Sequence, residues 1–332
     1  MAKKCKDTDY LFISTRLRAM ERNLLTAARM ERMIDASSAE DAAKVLQEIG
    51  YSEFDPASDR ELGAALAKER AKVFAELYRF VPDRSVVDVF KVKYDYHNAK
   101  AALKAQAQDV DCSRLLVDAG RIDAERLAGA IQSGHYDVLP GTMAQSVREA
   151  AEVLSTTGDP QRSDFVLDQA YFVEMLRCAE KTGSPFLTRY VQISIDAANL
   201  RSAVRTLRLG KGGDFLRRVL FDGGEIGVDR VMRAAMSGNL AEPYRMSTLR
   251  TAAELGAAAI SGGSLTAFEK ACDDAVTAVV AAAKRVPFGV EVVIGYLVAK
   301  EIEFTAVRVI MSGRMAGISG DRIRERLRDS YV

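Results

Sequence analysis

Residues 190–210 read YVQISIDAANLRSAVRTLRLG and place a carboxylate, an amide and a guanidinium within six positions, Asp196, Asn199 and Arg201. Such a set could do chemistry, since a carboxylate can move a proton and a guanidinium can hold a developing anion. Because the same acid and base recur near 95–100 and 303–308, Asp196 and Asn199 read instead as hydrogen-bonding anchors between helices, with Arg201 left open as the outward-facing member. Spacing separates the members. Asp196 and Asn199 stand three apart and share a helix face, whereas Arg201 lies five from Asp196 and projects elsewhere. Arg201, Arg205 and Arg208 then follow one another at i, i+4 and i+7 along one helix edge. With Arg217 and Arg218 they make residues 189–218 locally basic, which suits either a solvated face paired with nearby acids or a docking edge for an acidic partner.

Other candidate chemistry is sparse. The two histidines, His97 and His135, have no HxxxH or ExxH partner, so neither starts a metal site. LGKGGD (209–214) is glycine-rich, but it follows a helical pattern and lacks phosphate-loop spacing, so it reads as a helix cap and turn. CDDAV (272–276) resembles the acidic motif that chelates magnesium in isoprenoid synthases, yet Val276 and Thr277 stand where a further acid is needed. No serine occupies a GxSxG elbow and no Cys–His pairing is suggested. Cys5, Cys112, Cys178 and Cys272 are scattered without CxxC spacing, which points to free thiols rather than a zinc site or a disulfide framework. The expectation is no catalytic residue, no cofactor and no metal.

The elements that would carry these residues are helices. Phe186, Tyr190, Ile193, Ala197, Leu200, Val204 and Leu207 form one apolar stripe. Ser184 caps this helix, Pro185 takes its first position and Gly210 ends it. A second long helix, about 164–182, precedes it, and the two form a hairpin about Gly183–Ser184. The hairpin recurs around Pro82 (helices about 61–80 and 84–107) and Pro287 (about 265–285 and 288–311). Its inner motif recurs as well. Asp95, Asn98 and Lys100 match Asp196, Asn199 and Arg201, while a third copy keeps Glu303 and Arg308 with Ala306 for Asn. A worn fourth copy opens the chain, with Arg18 at the basic position. A short helix follows each long one, at 121–136, 225–240 and 317–332, with a looser copy at 37–51.

One hairpin cannot bury its own apolar face, so neighbouring units must pack together. The expected fold is all-α, with three helical-hairpin domains in approximate threefold symmetry. The units are a leading half-unit at 1–59, repeats at 60–160 and 161–262, and a third at 263–332 packed with the half-unit. The 332 residues suffice for two or three cores, and 48% hydrophobic with 28% charged composition is that of a globular chain. A net charge of +1 gives no pull toward nucleic acid or an anionic membrane. The start MAKKCKDTDYLFIS is too polar for a secretory leader, and the apolar runs 275–283 and 290–299 are too short to span a bilayer. Any membrane association is therefore expected through another protein.

Four landmarks in order carry a resemblance. They are YLFISTRLRAMERNLL with Tyr10, Arg16, Arg18 and Glu21, SAEDAAKVLQEIGY, YVQISIDAANLRSAVR, and YLVAKEIEFTAVRVIMSGR. Together they resemble the C subunit of V-type/A-type ATP synthases, which is similar to the d subunit of the eukaryotic vacuolar ATPase. Ala306 departs from the expected Asn. The resemblance implies a funnel of three similar helical domains that caps the membrane rotor ring and receives the foot of the central stalk. It implies a non-catalytic, torque-transmitting part, held on the cytoplasmic face through central-stalk and ring subunits. A free-standing scaffold that binds other proteins is the alternative, and an α-helical enzyme using carboxylates and arginines is a third reading.

Overall fold

The computed structural model describes residues 5–331, so Met1–Lys4 of the basic start and Val332 lie outside the described residues. Every regular element among the described residues is helical. The chain opens with three short helices, α1 (Leu11–Met20), α2 (Ala27–Ile34) and α3 (Ala39–Glu48). A long hairpin follows, α4 (Asp59–Phe80) and α5 (Ser85–Gln108), then α6 (Ala124–Gln132) and α7 (Gly141–Thr157). The second hairpin is α8 (Pro160–Thr182) and α9 (Pro185–Arg208), trailed by α10 (Gly213–Arg218), α11 (Val228–Met236) and α12 (Arg250–Ile260). The third is α13 (Leu265–Val280) and α14 (Val290–Met315), followed by α15 (Gly320–Arg326).

The helix ends follow local chemistry. Ser184 Oγ accepts from the Leu187 N–H with Pro185 at the first position, and Asp159 does the same for Gln161 beside Pro160. Past α9, Gly210 takes φ +64°, a left-handed turn that glycine adopts without a Cβ clash. Lys211 N–H then closes onto the Thr206 carbonyl, so LGKGGD is a helix cap and turn. The first helix of the third hairpin stops earlier than its pattern predicts, at Val280, and tightens into a 3₁₀ turn over Ala281–Arg285. Helices α7 and α12 are additions to the elements that the sequence pattern separates.

Among the described residues the buried apolar side chains form three cores. One is built from α5, α6, α7 and α8, and includes Val92, Leu103, Leu127 and Met143. A second, from α9 to α13, includes Leu200, Val204, Tyr244 and Phe268. The largest joins the N-terminal helices to the third hairpin, with Ile13, Leu17, Met33 and Leu46 in the same cluster as Val293, Leu297, Val307 and Ile310.

Candidate functional site

The acid–amide pairs of α5 and α9 each face a loop. Asp95 and Asn98 are both fully buried. Asn98 Nδ2 donates to the Val117 carbonyl at 2.9 Å, and its Oδ1 accepts from Val117 N–H at 2.8 Å. Asp95 Oδ1 accepts from the N–H groups of Arg121 and Ile122 at 2.8 and 3.1 Å. One turn pair is thereby bound through the backbone, in the way a buried polar chain segment must be. Asn199 clasps Phe221 through the same two bonds, at 2.8 and 2.7 Å, and Asp196 accepts from Glu225 and Ile226 at 3.0 and 3.1 Å. The loop must lie against the carboxylate, because a Cβ at Gly120 would strike Asp95 Oδ1, and one at Gly224 would strike Asp196 Oδ1. Sequence reasoning missed this loop. Its signal is the parallel between VDAGRI (117–122) and FDGGEI (221–226).

The two clasps differ in charge. Arg121 Nε lies 2.6 Å from Asp95 Oδ2, and its Nη1 lies 2.8 Å from Glu174 Oε1. Glu225 holds the place of Arg121 at the second clasp. Burial raises the Asp95 carboxyl while Arg121 opposes the shift. Among the described residues no cation pairs with Asp196, and burial pushes it up to about 7, its two backbone N–H bonds pulling the other way.

The third copy is rebuilt. Glu303 accepts from Leu25 N–H at 2.8 Å, from the Tyr51 hydroxyl at 2.7 Å and from Lys300 Nζ at 2.6 Å. Its loop partner thus comes from the opposite end of the chain. Ala306 is buried beside Leu24 and Leu25, where it offers no amide to clasp them. Arg18 donates to the carbonyls of Ala283 and Val286 at 2.7 and 2.8 Å, which ties α1 to the turn between α13 and α14.

The basic members join successive hairpins. Lys100 pairs with Asp168, and Lys104 Nζ meets Asp164 at 2.6 Å, so α5 is linked to α8. Arg201 pairs with Asp273 and, at 2.8 Å, with Glu269, while Arg205 meets Glu269 at 2.6 Å, so α9 is linked to α13 in the same antiparallel pattern. Arg208 donates to the carbonyls of Ala259 and Gly263, both at 3.2 Å. Arg308 is exposed near Gly63 of α4, and Lys300 makes the α14–α4 link instead, 3.0 Å from Glu69. In CDDAV, Asp273 also meets Arg328 at 2.5 Å, and Asp274 meets Lys270 at 3.2 Å. His97 contacts the Leu115 carbonyl at 3.1 Å. The Cys272 thiol is buried and pushed up to about 12. Among the described residues no group of three His, Cys, Asp or Glu is placed to hold a metal ion.

The hairpins meet around a cavity of about 360 Å³. Lys93 of α5, Tyr171 of α8, Tyr190 and Arg201 of α9, Asp273 of α13 and Glu301 of α14 all reach it. Tyr190 stacks on Phe90 at 5.6 Å, and Tyr94 donates to Glu301 at 2.7 Å, so its walls are braced from behind. The C-terminal segment runs along its rim. Lys270 donates to the Leu327 carbonyl at 3.0 Å and Asp329 N–H to Asp274 at 2.8 Å. The cavity lining mixes aromatic and aliphatic side chains such as Phe172 and Val298 with charged ones such as Lys93 and Arg326. No helix among the described residues is long and apolar enough to cross a membrane.

Comparison with known proteins places this architecture. The chain is similar to the C subunit of the V-type sodium ATPase of Enterococcus hirae, at 24% identity over 97% of this chain and 99% of the relative. It is similar to the C subunit of the A-type ATP synthase of Methanocaldococcus jannaschii, at 25% identity over 96% of this chain and 86% of the relative. The C subunit of a V-type ATP synthase of Thermus thermophilus matches at 28% identity over 64% of this chain and 70% of the relative. Residues 13–326 match the family model of the ATP synthase (C/AC39) subunit. By that match, which takes in all three hairpins, the chain belongs to the ATP synthase (C/AC39) subunit family.

Proposed function

We propose that this chain is a non-catalytic rotor subunit of a V-type/A-type ATPase or ATP synthase. It joins the central stalk to the membrane ring, transmits torque between them and sits on the cytoplasmic face through the ring. The observation that carries this reading is the family match from residue 13 to residue 326. The relatives named above are all subunits of such machines, which disfavours a free-standing scaffold. The shared clasps and paired links of the first two hairpins support pseudo-threefold units, with 263–332 and 1–59 as the third.

The stalk end enters the central cavity, and Arg201 on its wall is the first of the docking arginines to meet it. Arg205 and Arg208 continue that edge and guide the stalk by charge. Tagged chain from native membranes should bring down both stalk and ring subunits, and recovery of neither would end this reading. Thr305→Trp puts bulk at the exposed cavity wall and should cost the stalk subunits while sparing the ring. Arg205→Glu should weaken reassembly, and unchanged assembly would remove that residue from the docking edge.

A further inference from the structure

A second concavity lies away from the central one, between α7 and α8, with a volume of about 760 Å³. It is a trough. On α7 its lining runs from Thr142 to Thr157, and on α8 from Gln161 to Arg177, each set on one face of its helix. At a rise of 1.5 Å per residue each wall is about 22–24 Å long, the length of a four-turn helix. Val153, Val166, Ala170 and Val173 form the apolar floor, and Val173, towards its Arg177 end, is 59% exposed.

The rim carries uncommitted positive charge. Arg162 and Arg177 mark the two ends of the α8 wall, and Arg218 lines the trough from α10. Among the described residues none of the three has an ion-pair or hydrogen-bond partner. Two of the trough's acids are already engaged. Glu174 holds Arg121 and Tyr96, and Asp159 caps α8, which leaves the exposed Glu149.

We infer that the α7–α8 trough docks an amphipathic helix of a partner protein, about 15 residues long, with apolar residues on one stripe and acidic residues at both ends. A trough of this length between parallel walls fits a helix laid along it. Its terminal arginines require acids there, since Arg pairs bidentately with carboxylates. The inference does not rest on the rotor reading, and its failure leaves recovery of stalk and ring unaffected.

The test is photo-crosslinking in the full chain within its own cells. Val173→p-benzoylphenylalanine places the probe on the exposed floor. Gln145→p-benzoylphenylalanine, on the facing wall, serves if the first variant does not accumulate. The expected product is a crosslink to one segment of another protein with helical apolar spacing and acidic ends. Arg162→Glu with Arg177→Glu should cut its yield about tenfold, and Arg162→Lys with Arg177→Lys should retain most of it. Crosslinks to lipid, to a second copy of this chain or to a basic segment would overturn the inference. So would no crosslink from either site, or a yield indifferent to charge reversal.

Discussion

Asp95 and Asp196 hold the same kind of loop by the same backbone bonds, yet one has a guanidinium beside it and the other has none. That difference sets a pH dependence. Asp196 ionises at about 7 in the folded chain and near 3.9 when unfolded. Between those values the folded state binds the extra proton, so the stability it contributes is full below about pH 4 and is lost as pH rises through 7. Glu225 faces the same carboxylate and adds to the effect, while Arg189 lies 3.3 Å from Glu225 and moderates it. Asp196→Asn should flatten this region of the melting-temperature profile, and an unchanged slope between pH 5 and 7.5 would refute the assignment. Gly224→Ala should be destabilising by about 1–3 kcal/mol, because its Cβ must displace the carboxylate. Chemical denaturation measures that directly. The acid–amide pair itself was legible, since a spacing of three fixes a shared face. Its partner was not, because the donors lie 22 to 30 residues downstream and depend on how a loop folds back.

Among the elements, helix ends were the most legible feature. Ser, Asp, Pro and Gly act locally, so Ser184–Pro185 and Gly210 mark α9 independently of any tertiary contact. Helix α12 was harder to separate, since RTAAELGAAAI is largely alanine and has little polar contrast to reveal a face. The arginine edge allowed both internal pairing and docking, and charge spacing alone could not choose. Its pairing acids lie on α13, 64 to 72 residues away. These links orient the hairpins more than they hold them. Arg205 is 61% exposed, and such pairs contribute roughly 0–1 kcal/mol. Phe268 of α13 is fully buried and packs near Val204 and Gly256. Phe268→Ala should therefore cost about 3–5 kcal/mol and Arg205→Ala less than about 1 kcal/mol, by urea unfolding of the isolated chain. A comparable loss from both would show that charge, rather than apolar packing, secures α13.

At the scale of the whole molecule, the ends of the chain complete each other. Helices α1 to α3 cannot bury Ile13, Leu17, Met33 and Leu46 alone, and α14 supplies the missing face. The polar centre of this union is Glu303, which receives Leu25 and Tyr51 from the N-terminal segment and Lys300 from its own helix. Lys300 in turn reaches Glu69 of α4 and lies over the rings of Tyr51 and Phe304, both at 5.3 Å. One buried cluster thus fastens the N-terminal helices, the first hairpin and the third. A buried pair of this kind adds little over an apolar replacement, but losing one member strands the other. Glu303→Ala should cost about 3–5 kcal/mol, with Lys300 left to Glu69 and Leu25 N–H left without its acceptor. Hydrogen exchange separates a local effect from a global one. Residues 11–51 and 290–315 should exchange faster together, while 197–220 and 226–236, in the second core, should stay protected. Faster exchange confined to 290–315 would mean that the N-terminal helices stand on their own core. Uniform loss across the chain would mean that the cores fold as one unit rather than as neighbours, and the chain ends would then have no special part in closing the structure.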